Sequence, residues 1–209
     1  ERSAGEMAST DIVKTASESE GEIIEGILKL YNAGEPVDID PCYSKGVVWR
    51  GLPPGPKMKS DISPCPDDDE TVRRADCRHL DFLVDGSVGS VFFDPPFLPV
   101  GPKQAGIIAE RFSGFSSLEE MYAMYKDSLK EFQRILGKKG VVIWKCQDIV
   151  NHDRQRMIHV WIINEAIAMG YEVLDLFVLV RKGRMTSGRW KTQVHARKNH
   201  CYYLVLRKK

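Results

Sequence analysis

The sequence lacks the long apolar run of a membrane-spanning helix and the residue spacings of a metal site. None of its 209 residues belongs to an apolar run near the roughly 18 residues that a membrane span requires. Its first residues have no apolar centre of the kind that a signal peptide carries. Its five cysteines form no CxxC pair, and its five histidines do not join them at metal-ligand spacing. We therefore expect a cytoplasmic protein with reduced thiols and no bound metal.

Two phosphate-binding signatures are also missing. The first predicted strand is followed by residues 40–46, DPCYSKG, which contain neither GxGxxG nor GxxxxGK[ST]. Glycine-rich loops of those two kinds bring backbone N–H groups against phosphates. Their absence argues against a dinucleotide or a nucleoside triphosphate as the ligand.

Acidic residues are absent from the last part of the chain. Residues 181–209 carry ten Lys or Arg and no Asp or Glu, whereas the 180 residues before them carry 20 basic and 29 acidic side chains. A basic end on an acidic body favours contact between one face and a polyanion. A basic β-hairpin kept soluble by its charges has the same composition, so charge alone does not decide.

What is present is the composition of one α/β domain. The chain is 43% apolar and 28% charged, which suits a single soluble domain with an ample core. Residues 1–18 are polar and rich in Ser, Glu, Ala and Thr, so we expect a flexible N-terminal segment there. A single domain is expected over residues 19–209.

Strand and helix patterns alternate along that domain. Apolar periodicity predicts helices over residues 20–34, from a capping box at Ser116 or Ser117 to about residue 136, and over 154–170. Strands are predicted at 36–40, 57–62, near 74, 86–94, 140–146, 171–182 and 200–208. The alternation predicts a mainly parallel sheet with helices on both faces. Because no helix joins the last two strands, we predict a mixed seven-stranded sheet whose last strand is antiparallel.

Four of the early predicted strands end in a carboxylate. These residues are Asp40, Asp61, Asp76 and Asp94. In open α/β sheets, ligands bind outside the carboxyl ends of the strands. A single acid at such a place is usually a helix cap or a solvated turn, but four in succession suggest a site that accepts hydrogen bonds from hydroxyls and amines. A nucleoside-bearing cofactor without phosphates suits these acids, because phosphates would be repelled.

The last of these acids begins the tetrapeptide Asp94-Pro95-Pro96-Phe97. Asp94 offers acceptor oxygens, and the two prolines present carbonyl oxygens on a backbone of restricted φ. Phe97 supplies a face on which a flat ring can stack. Such a group can bind the exocyclic amine of a nucleobase and expose its lone pair to a methyl donor. The tetrapeptide by itself fits equally well a Pro-Pro turn with an N-cap Asp and a core Phe.

Together with the other acids, the sequence resembles the class I S-adenosylmethionine-dependent methyltransferases. Within them it is similar to the amino-group DNA methyltransferases, whose catalytic motif is [DNS]PP[YFW]. Residues 40–46 fit the frame of the family's cofactor loop, D-P-F-x-G-S-G, and the resemblance covers most of residues 36–209. It implies a Rossmann-like fold, S-adenosyl-L-methionine as cofactor, and catalytic roles for Asp94, Pro95, Pro96 and Phe97.

The resemblance also implies which residues bind the cofactor. The loop that contains Asp40, Pro41, Tyr43, Ser44 and Gly46 would enclose its methionine part. By the same resemblance, the ribose hydroxyls would lie against Asp61 and Ile62, and the adenine against Asp76 and Cys77.

Three features depart from the family's pattern. Ser44 stands where glycine is usual, and Phe97 replaces the commoner tyrosine. Only residues 98–115 and 183–199 remain as substrate elements, so no segment is long enough for a separate target-recognition domain. We therefore expect low sequence specificity, or specificity supplied by a protein partner or by a homodimer.

The second of these segments combines basic side chains with an aromatic one. Basic and aromatic residues together suit phosphate contacts and base stacking, although a flexible hairpin tip with a packing Trp has the same pattern. The candidate substrate-binding residues are Arg184, Arg189, Trp190, Lys191, Arg197 and Lys198. The glycines of residues 98–115 fit either a lid over a flipped base or a passive loop. His195 and His200 are expected to be phosphate-facing or structural rather than general bases.

The sequence thus predicts an adenine-specific DNA methyltransferase that acts on N6 of its base. N4 of cytosine in DNA, an RNA base or a glutamine side chain presents a similar amine and stays open as a target. A nucleic-acid-binding module without catalysis on the same scaffold is the alternative from another functional class. DNA is preferred to RNA as the partner.

Overall fold

The computed structural model describes residues 12–52, 54–64, 70–99, 115–181 and 192–209. The helices are α1 (Glu20–Tyr31), α2 (Leu118–Ile135) and α3 (Ile158–Ala168). The strands are β1 (Ala16–Ser17), β2 (Ile39–Asp40), β3 (Met58–Asp61), β4 (Arg73–Arg74), β5 (Val88–Phe93), β6 (Leu136–Cys146), β7 (Ile149–Asn151), β8 (Arg154–Arg156), β9 (Tyr171–Val180) and β10 (His200–Lys208). Within these ranges no helix is long and apolar enough to cross a membrane.

Eight of the strands form one mixed sheet in the order β1-β9-β10-β6-β5-β2-β3-β4. The five strands β6, β5, β2, β3 and β4 run parallel to one another, whereas β10 is antiparallel to both β9 and β6. The predicted mixed α/β architecture with an antiparallel last strand is confirmed. The predicted number of seven strands is wrong, because the two residues of β1 add an eighth strand at the edge.

The eighth strand lies within the N-terminal segment that the sequence analysis separates from the domain. Ala16 pairs with Val178, and Ser17 with Leu179, in parallel register. The N–H of Val178 also donates to the carbonyl of Thr15 over 2.7 Å. The ladder therefore includes residues from the end of this segment, and the boundary between 18 and 19 stays a prediction.

The sheet separates two apolar layers. On one face α1 contributes Ile23, Ile24 and Ile27, which pack with alternate residues of β5, β6, β9 and β10. On the other face α2 and α3 cover the opposite residues of the same strands. Ile143 and Trp144 of β6 are both fully buried but belong to different layers, as strand alternation requires. The predicted placement of helices on both faces is confirmed.

The helix predicted over residues 154–170 begins later than expected. Arg154–Arg156 instead pairs antiparallel with Ile149–Asn151 as a small hairpin. His152 and Asp153 both have positive φ, 48° and 56°, which is the backbone of a two-residue hairpin turn. Apolar periodicity did not reveal this turn because neither residue is the glycine that usually signals it.

Candidate active site

Parallel pairing brings the carboxylate-bearing strand ends to one edge of the sheet. Asp40 ends β2, Asp61 ends β3, and Asp94 directly follows β5. Since β2 lies between β3 and β5, their three carboxylates are neighbours. Burial, opposed by hydrogen bonds and supported by the charges of Asp94 and Asp61, raises the pKa of Asp40 to about 7. The sequence-predicted acids of these three strands thus form one cluster.

Asp40 anchors the loop that follows β2. Its side chain is only 1% exposed. The indole N–H of Trp49 donates to Oδ2 over 2.8 Å, and the backbone N–H of Cys42 donates to Oδ1 over 3.0 Å. The acid therefore ties both the start of the loop and the short 3₁₀ turn at Val47–Trp49 to the strand end.

The loop itself contains two residues in the left-handed conformation. Ser44 has φ 48° and Gly46 has φ 58°. The pattern D-P-F-x-G-S-G has glycine at both positions, and left-handed backbone is the reason that glycine is favoured there. Ser44 adopts the same backbone with a side chain, and its N–H donates to Oδ2 of Asp61 over 2.9 Å. The departure at Ser44 thus leaves the loop geometry in place.

Asp61 accepts hydrogen bonds from backbone N–H groups in two loops, the one after β2 and the one after β3. Besides Ser44, it accepts a hydrogen bond from the N–H of Ser63 at Oδ1 over 2.8 Å. Its side chain is half-buried, and Ile62 beside it is exposed. Each carboxylate oxygen has two acceptor positions, so both retain capacity for a hydroxyl.

Asp76 and Cys77, which are predicted to lie against the adenine of the cofactor, contact other residues of the protein. Asp76 forms a two-pronged ion pair with Arg78, whose guanidinium approaches Oδ2 to 2.6 Å. This pairing, against partial burial, lowers the pKa of Asp76. Cys77 is buried, and its Sγ lies 3.5 Å from the hydroxyl oxygen of Ser128 on α2. Asp76 thus lies two residues beyond the end of β4, and Cys77 belongs to the apolar layer that α2 and α3 cover.

The tetrapeptide after β5 is supported from α2. Pro95 is buried, and Pro96 and Phe97 are half-buried. The hydroxyl of Tyr125 donates to the carbonyl of Pro96 over 2.7 Å. No described residue donates to the carbonyl of Pro95. The Asp94 side chain and the Pro95 carbonyl are therefore the acceptors of this segment that can meet a ligand.

Lys145 binds the first residue of the tetrapeptide. It is the penultimate residue of β6, next to β5 in the sheet, and its Nζ lies 2.7 Å from Oδ2 of Asp94. Lys145 is only 8% exposed at its side chain, whereas Asp94 is 24% exposed. No described residue donates to the second oxygen of Asp94, Oδ1, so this oxygen is left for other donors.

A second carboxylate holds the same ammonium group. Oε1 of Glu20, the first residue of α1, also lies 2.7 Å from Nζ of Lys145. The hydroxyl of Tyr203 donates to Oε1 over 2.5 Å, and Arg181 lies 3.1 Å from Oε2. The chain of contacts thus runs from Asp94 through Lys145 and Glu20 to the ends of β9 and β10.

Within this series of contacts, opposite charges counteract the effect of burial on each pKa. Burial lowers the pKa of Lys145, but Asp94 and Glu20 outweigh it, so the pKa is raised and the ammonium stays charged. Burial likewise opposes ionisation of Glu20, but Lys145, Tyr203 and Arg181 lower its pKa. For Asp94 burial is the stronger influence, and its pKa is raised although Lys145 and Arg181 oppose this.

These supporting residues were largely missed from the sequence. Lys145 lies within the strand predicted at 140–146 and Glu20 begins the helix predicted over 20–34, but the sequence assigns neither residue to the site. The usable signal was a single lysine within the apolar run GVVIWKC, because a buried lysine requires a carboxylate partner. The partner Glu20 lies 125 positions away, and no periodicity connects the two.

Most predicted nucleic-acid contacts lie outside the described residues. This holds for Arg184, Arg189, Trp190 and Lys191, and for residues 100–114 of the possible lid. Arg197 is exposed. Lys198 is half-buried, and its carbonyl accepts a 3.3 Å hydrogen bond from the side chain of Gln147.

The two histidines of the basic end differ in environment. His200 begins β10, and its Nε2 lies 2.9 Å from the hydroxyl of Tyr202. His195 is half-buried, and no described residue pairs with its Nε2. Among the described residues, no hydrogen bond or ring contact joins either histidine to the tetrapeptide. The expectation of a structural role suits His200.

The donor and acceptor set suits a cationic ligand with hydroxyl groups. Three clustered carboxylates, Asp40, Asp61 and Asp94, would repel phosphates and attract positive charge. A separate cleft of about 400 Å³ lies between the first turn of α1 and residues 47–52, and Glu20 lines it. Its lining includes none of the three acids, so the carboxyl edge of the sheet rather than this cleft is the candidate active site.

Replacing Gly46 by alanine tests the geometry of the loop. A Cβ at this position would overlap the ring of Tyr43, so the ring must move from its place in the loop. We expect affinity for S-adenosylmethionine to fall about tenfold, in line with the loss of roughly one well-placed contact. Isothermal titration calorimetry measures it.

The matched control is Gly34→Ala at the end of α1. Gly34 has a similar φ of 77°, but no atom lies within 4 Å of the place of a Cβ. Gly34→Ala should lower the free energy of unfolding by about 1 kcal/mol, an amount similar to that for Gly46→Ala. It should leave the affinity for S-adenosylmethionine unchanged. Equal affinities of both variants for the cofactor would contradict a binding role for the loop.

No family model matches the sequence, and a comparison with curated proteins finds no match either. Solved structures do match. The 1,6-didemethyltoxoflavin-N1-methyltransferase of Burkholderia thailandensis, solved with 1,6-didemethyltoxoflavin and S-adenosylhomocysteine, is 14% identical; the alignment covers 91% of this chain and 79% of that one, with a TM-score of 0.56. TrmN from Thermus thermophilus is 17% identical, with 90% of this chain and 49% of that one covered and a TM-score of 0.50.

A third match is shorter. A protein of Thermus thermophilus described as a DNA modification methylase, crystallised with S-adenosyl-L-methionine, is 20% identical; 64% of this chain and 53% of that one are covered, with a TM-score of 0.45. The chain thus spans about half the length of this methylase. At these identities the likeness establishes the fold, which is the Rossmann-like fold of class I methyltransferases.

Proposed function

We propose that the protein is an S-adenosylmethionine-dependent methyltransferase that acts on the exocyclic amine of a nucleobase, with N6 of adenine in DNA as the target. The observation that carries the proposal is the position of Asp94. It follows a central parallel strand, lies in a cluster with Asp40 and Asp61, and has one oxygen, Oδ1, to which no described residue donates. The fold shared with methyltransferases supports the same conclusion.

The residues of the carboxyl edge fit the proposed cofactor. Asp61 has acceptor capacity for the ribose hydroxyls, and the loop that carries Tyr43, Ser44 and Gly46 would enclose the methionine part. The clustered carboxylates favour a cofactor that is positively charged and carries no phosphate. When bound, S-adenosylmethionine supplies an activated methyl group on a sulfonium, which is a good leaving group.

The tetrapeptide would orient the accepting nitrogen. One amine hydrogen is donated to Oδ1 of Asp94 and the other to the carbonyl of Pro95, while Phe97 stacks on the base. These two hydrogen bonds draw the lone pair of the nitrogen out of conjugation with the ring. The nitrogen is then a nucleophile in a fixed direction, and it loses its proton after it has gained the methyl group. No strong general base is required.

The target base would have to leave the duplex. A base stacked inside DNA cannot reach a residue at the edge of the sheet, so base flipping or a single-stranded substrate is part of the proposal. Residues 181–209, with no acidic side chain, supply positive charge for phosphate contacts. Sequence specificity would be low or would come from a protein partner or a second copy of the chain.

Nucleoside analysis tests the proposal. The protein is incubated with methyl-labelled S-adenosylmethionine and, in parallel, with double-stranded DNA, single-stranded DNA and RNA, and the products are digested and separated by mass spectrometry. We expect N6-methyldeoxyadenosine. Label in N4-methyldeoxycytidine or in RNA would correct the target and keep the reaction class.

Two outcomes would overturn the reaction itself. One is label found only on protein or on a small metabolite. The other is no heat on titration with S-adenosylmethionine together with intact, salt-sensitive DNA binding, which would identify a nucleic-acid-binding module without catalysis.

A further inference from the structure

We propose that Lys145 is a positioning residue of this reaction: held in place by Glu20, its ammonium group binds Oδ2 of Asp94 and leaves Oδ1 to accept the hydrogen bond from the target amine. The proposal deepens the proposed function and rests on it. It assigns a role to two residues that lie outside the tetrapeptide and belong to other elements of the fold.

The pairing of β5 with β6 in the sheet brings Asp94 and Lys145 next to each other. Phe93 of β5 is paired with Trp144 of β6 in the parallel sheet, so Asp94 and Lys145 are the next residues along both strands. With Nζ 2.7 Å from Oδ2, the contact is a charge-assisted hydrogen bond and not a distant attraction. Because Lys145 is 8% exposed, water competes little for its ammonium group.

Glu20 keeps the ammonium group from turning away. A lysine side chain has many rotamers, and one carboxylate alone would restrain it weakly. Here Nζ lies between two carboxylates, each at 2.7 Å. Glu20 is itself held by the hydroxyl of Tyr203 in β10 and by Arg181, which directly follows β9.

The consequence for Asp94 is a defined orientation and charge. An unrestrained carboxylate can present either oxygen, whereas here Oδ2 is occupied. Burial raises the pKa of Asp94 and Lys145 opposes that rise, so the loss of Lys145 should favour the protonated acid. Among the described residues, the titratable or charged groups that act on Asp94 or feel its charge come from both faces and from the neighbouring strands. They are Lys145 and Cys146 of β6, Glu20 of α1, Arg181 after β9, Cys201 and Tyr203 of β10, Tyr125 of α2 and Asp40 of β2.

The experiment compares Lys145→Met and Lys145→Arg with the wild-type protein. For Lys145→Met we expect kcat to fall between about 10- and 100-fold, as for a misplaced catalytic group, with the dissociation constant of S-adenosylmethionine within about twofold. The acid limb of the kcat profile should move to higher pH, because Asp94 loses the cation that favours its ionised form. Lys145→Arg should recover part of the rate.

Two further variants distinguish the proposed role of Lys145 from a general loss of stability. Lys145→Met leaves two carboxylates facing each other. The double variant Lys145→Met, Glu20→Gln removes the repulsion from Glu20, which also raises the pKa of Asp94, so it should show a pH shift in the same direction but smaller. Lys130→Met is the matched control, because Lys130 forms an ion pair of similar length, 2.8 Å to Asp127, on the exposed face of α2. It should leave both rate and pH profile unchanged.

A measurement without turnover separates this proposal from the proposed function. The carboxyl pKa of Asp94 is followed by carbon-13 NMR in the wild-type and Lys145→Met proteins, and we expect this pKa to be higher in the variant because the opposing charge of Lys145 is lost. If neither protein transfers methyl groups but the pKa rises, the reaction is wrong while the pairing of Lys145 with Asp94 stands. A folded Lys145→Met variant with wild-type kcat, or with an unchanged pKa of Asp94, would overturn the role of Lys145.

Discussion

Replacing Asp94 by alanine should reduce kcat at least about 100-fold, the effect of losing one hydrogen-bonding partner of the transition state. The variant removes the oxygen that would accept from the target amine, while the predicted cofactor residues after β2 and β3 are untouched. Affinity for S-adenosylmethionine should therefore stay within about twofold, which is a few tenths of a kcal/mol. Single-turnover methylation of DNA and calorimetric titration of the cofactor measure the two quantities.

The variant Asp94→Asn tests whether the side chain at position 94 acts as a hydrogen-bond acceptor or through its negative charge. Asp94→Asn keeps a carbonyl oxygen in place, and the motif [DNS]PP[YFW] includes asparagine at this position. We expect Asp94→Asn to retain more of the rate than Asp94→Ala. An alanine variant that turns over at the wild-type rate would remove Asp94 from the mechanism, and with it the proposed function of the tetrapeptide.

The second large effect is expected at Trp144. Its side chain is fully buried. Its ring makes edge-on contacts with Phe93 at 4.6 Å and Tyr125 at 5.3 Å between centroids. Trp144→Ala should lower the free energy of unfolding by about 3–5 kcal/mol, because the ring leaves a cavity between the sheet and α2. Denaturant unfolding followed by circular dichroism measures the change.

Phenylalanine at the same position is the matched control. No described residue accepts a hydrogen bond from the indole N–H of Trp144, so Trp144→Phe loses ring volume without breaking a polar contact. Its cost should be well below that of Trp144→Ala, at about 1–2 kcal/mol. Equal costs for the two variants would contradict the expectation that an aromatic ring packed at this position stabilises this layer.

Trp144 also connects stability with activity. Phe93, directly before Asp94, packs against Trp144, and Tyr125, which holds the Pro96 carbonyl, packs against it as well. Where Trp144→Ala remains folded, its kcat should fall while that of Trp144→Phe changes less. The same core residue thus supports the tetrapeptide from two sides.

The fold was predictable from the sequence because its signals are local. The apolar stripe of α1, the capping of α2 by Ser117 and the apolar run of β5 each depend on a few neighbouring residues. The two-residue strand β1 has too short a pattern to be recognised, and it is a strand only because β9 lies beside it. The hairpin at 149–156 was misread for a related reason, since its turn contains no glycine.

The candidate site was predictable in part. The acids at strand ends can be read from the sequence because a strand end and a carboxylate are both local features. The contacts that orient them are not local: Tyr125 reaches Pro96, and Lys145 reaches Asp94. Asp76 shows that a local contact can also be missed. Its partner Arg78 is only two residues away, yet the sequence pattern does not predict that Arg78 pairs with Asp76 and so competes with a ligand.

The contact between Glu20 and Tyr203 joins positions 183 residues apart. Such a pairing has a high contact order, and it forms only after the long intervening chain has been ordered. The support of Asp94 therefore requires the first helix and the last strand at the same time. A nascent chain that still lacks its final strand would hold every residue of the tetrapeptide but not the arrangement behind it, so competence for methyl transfer would arise late and cooperatively.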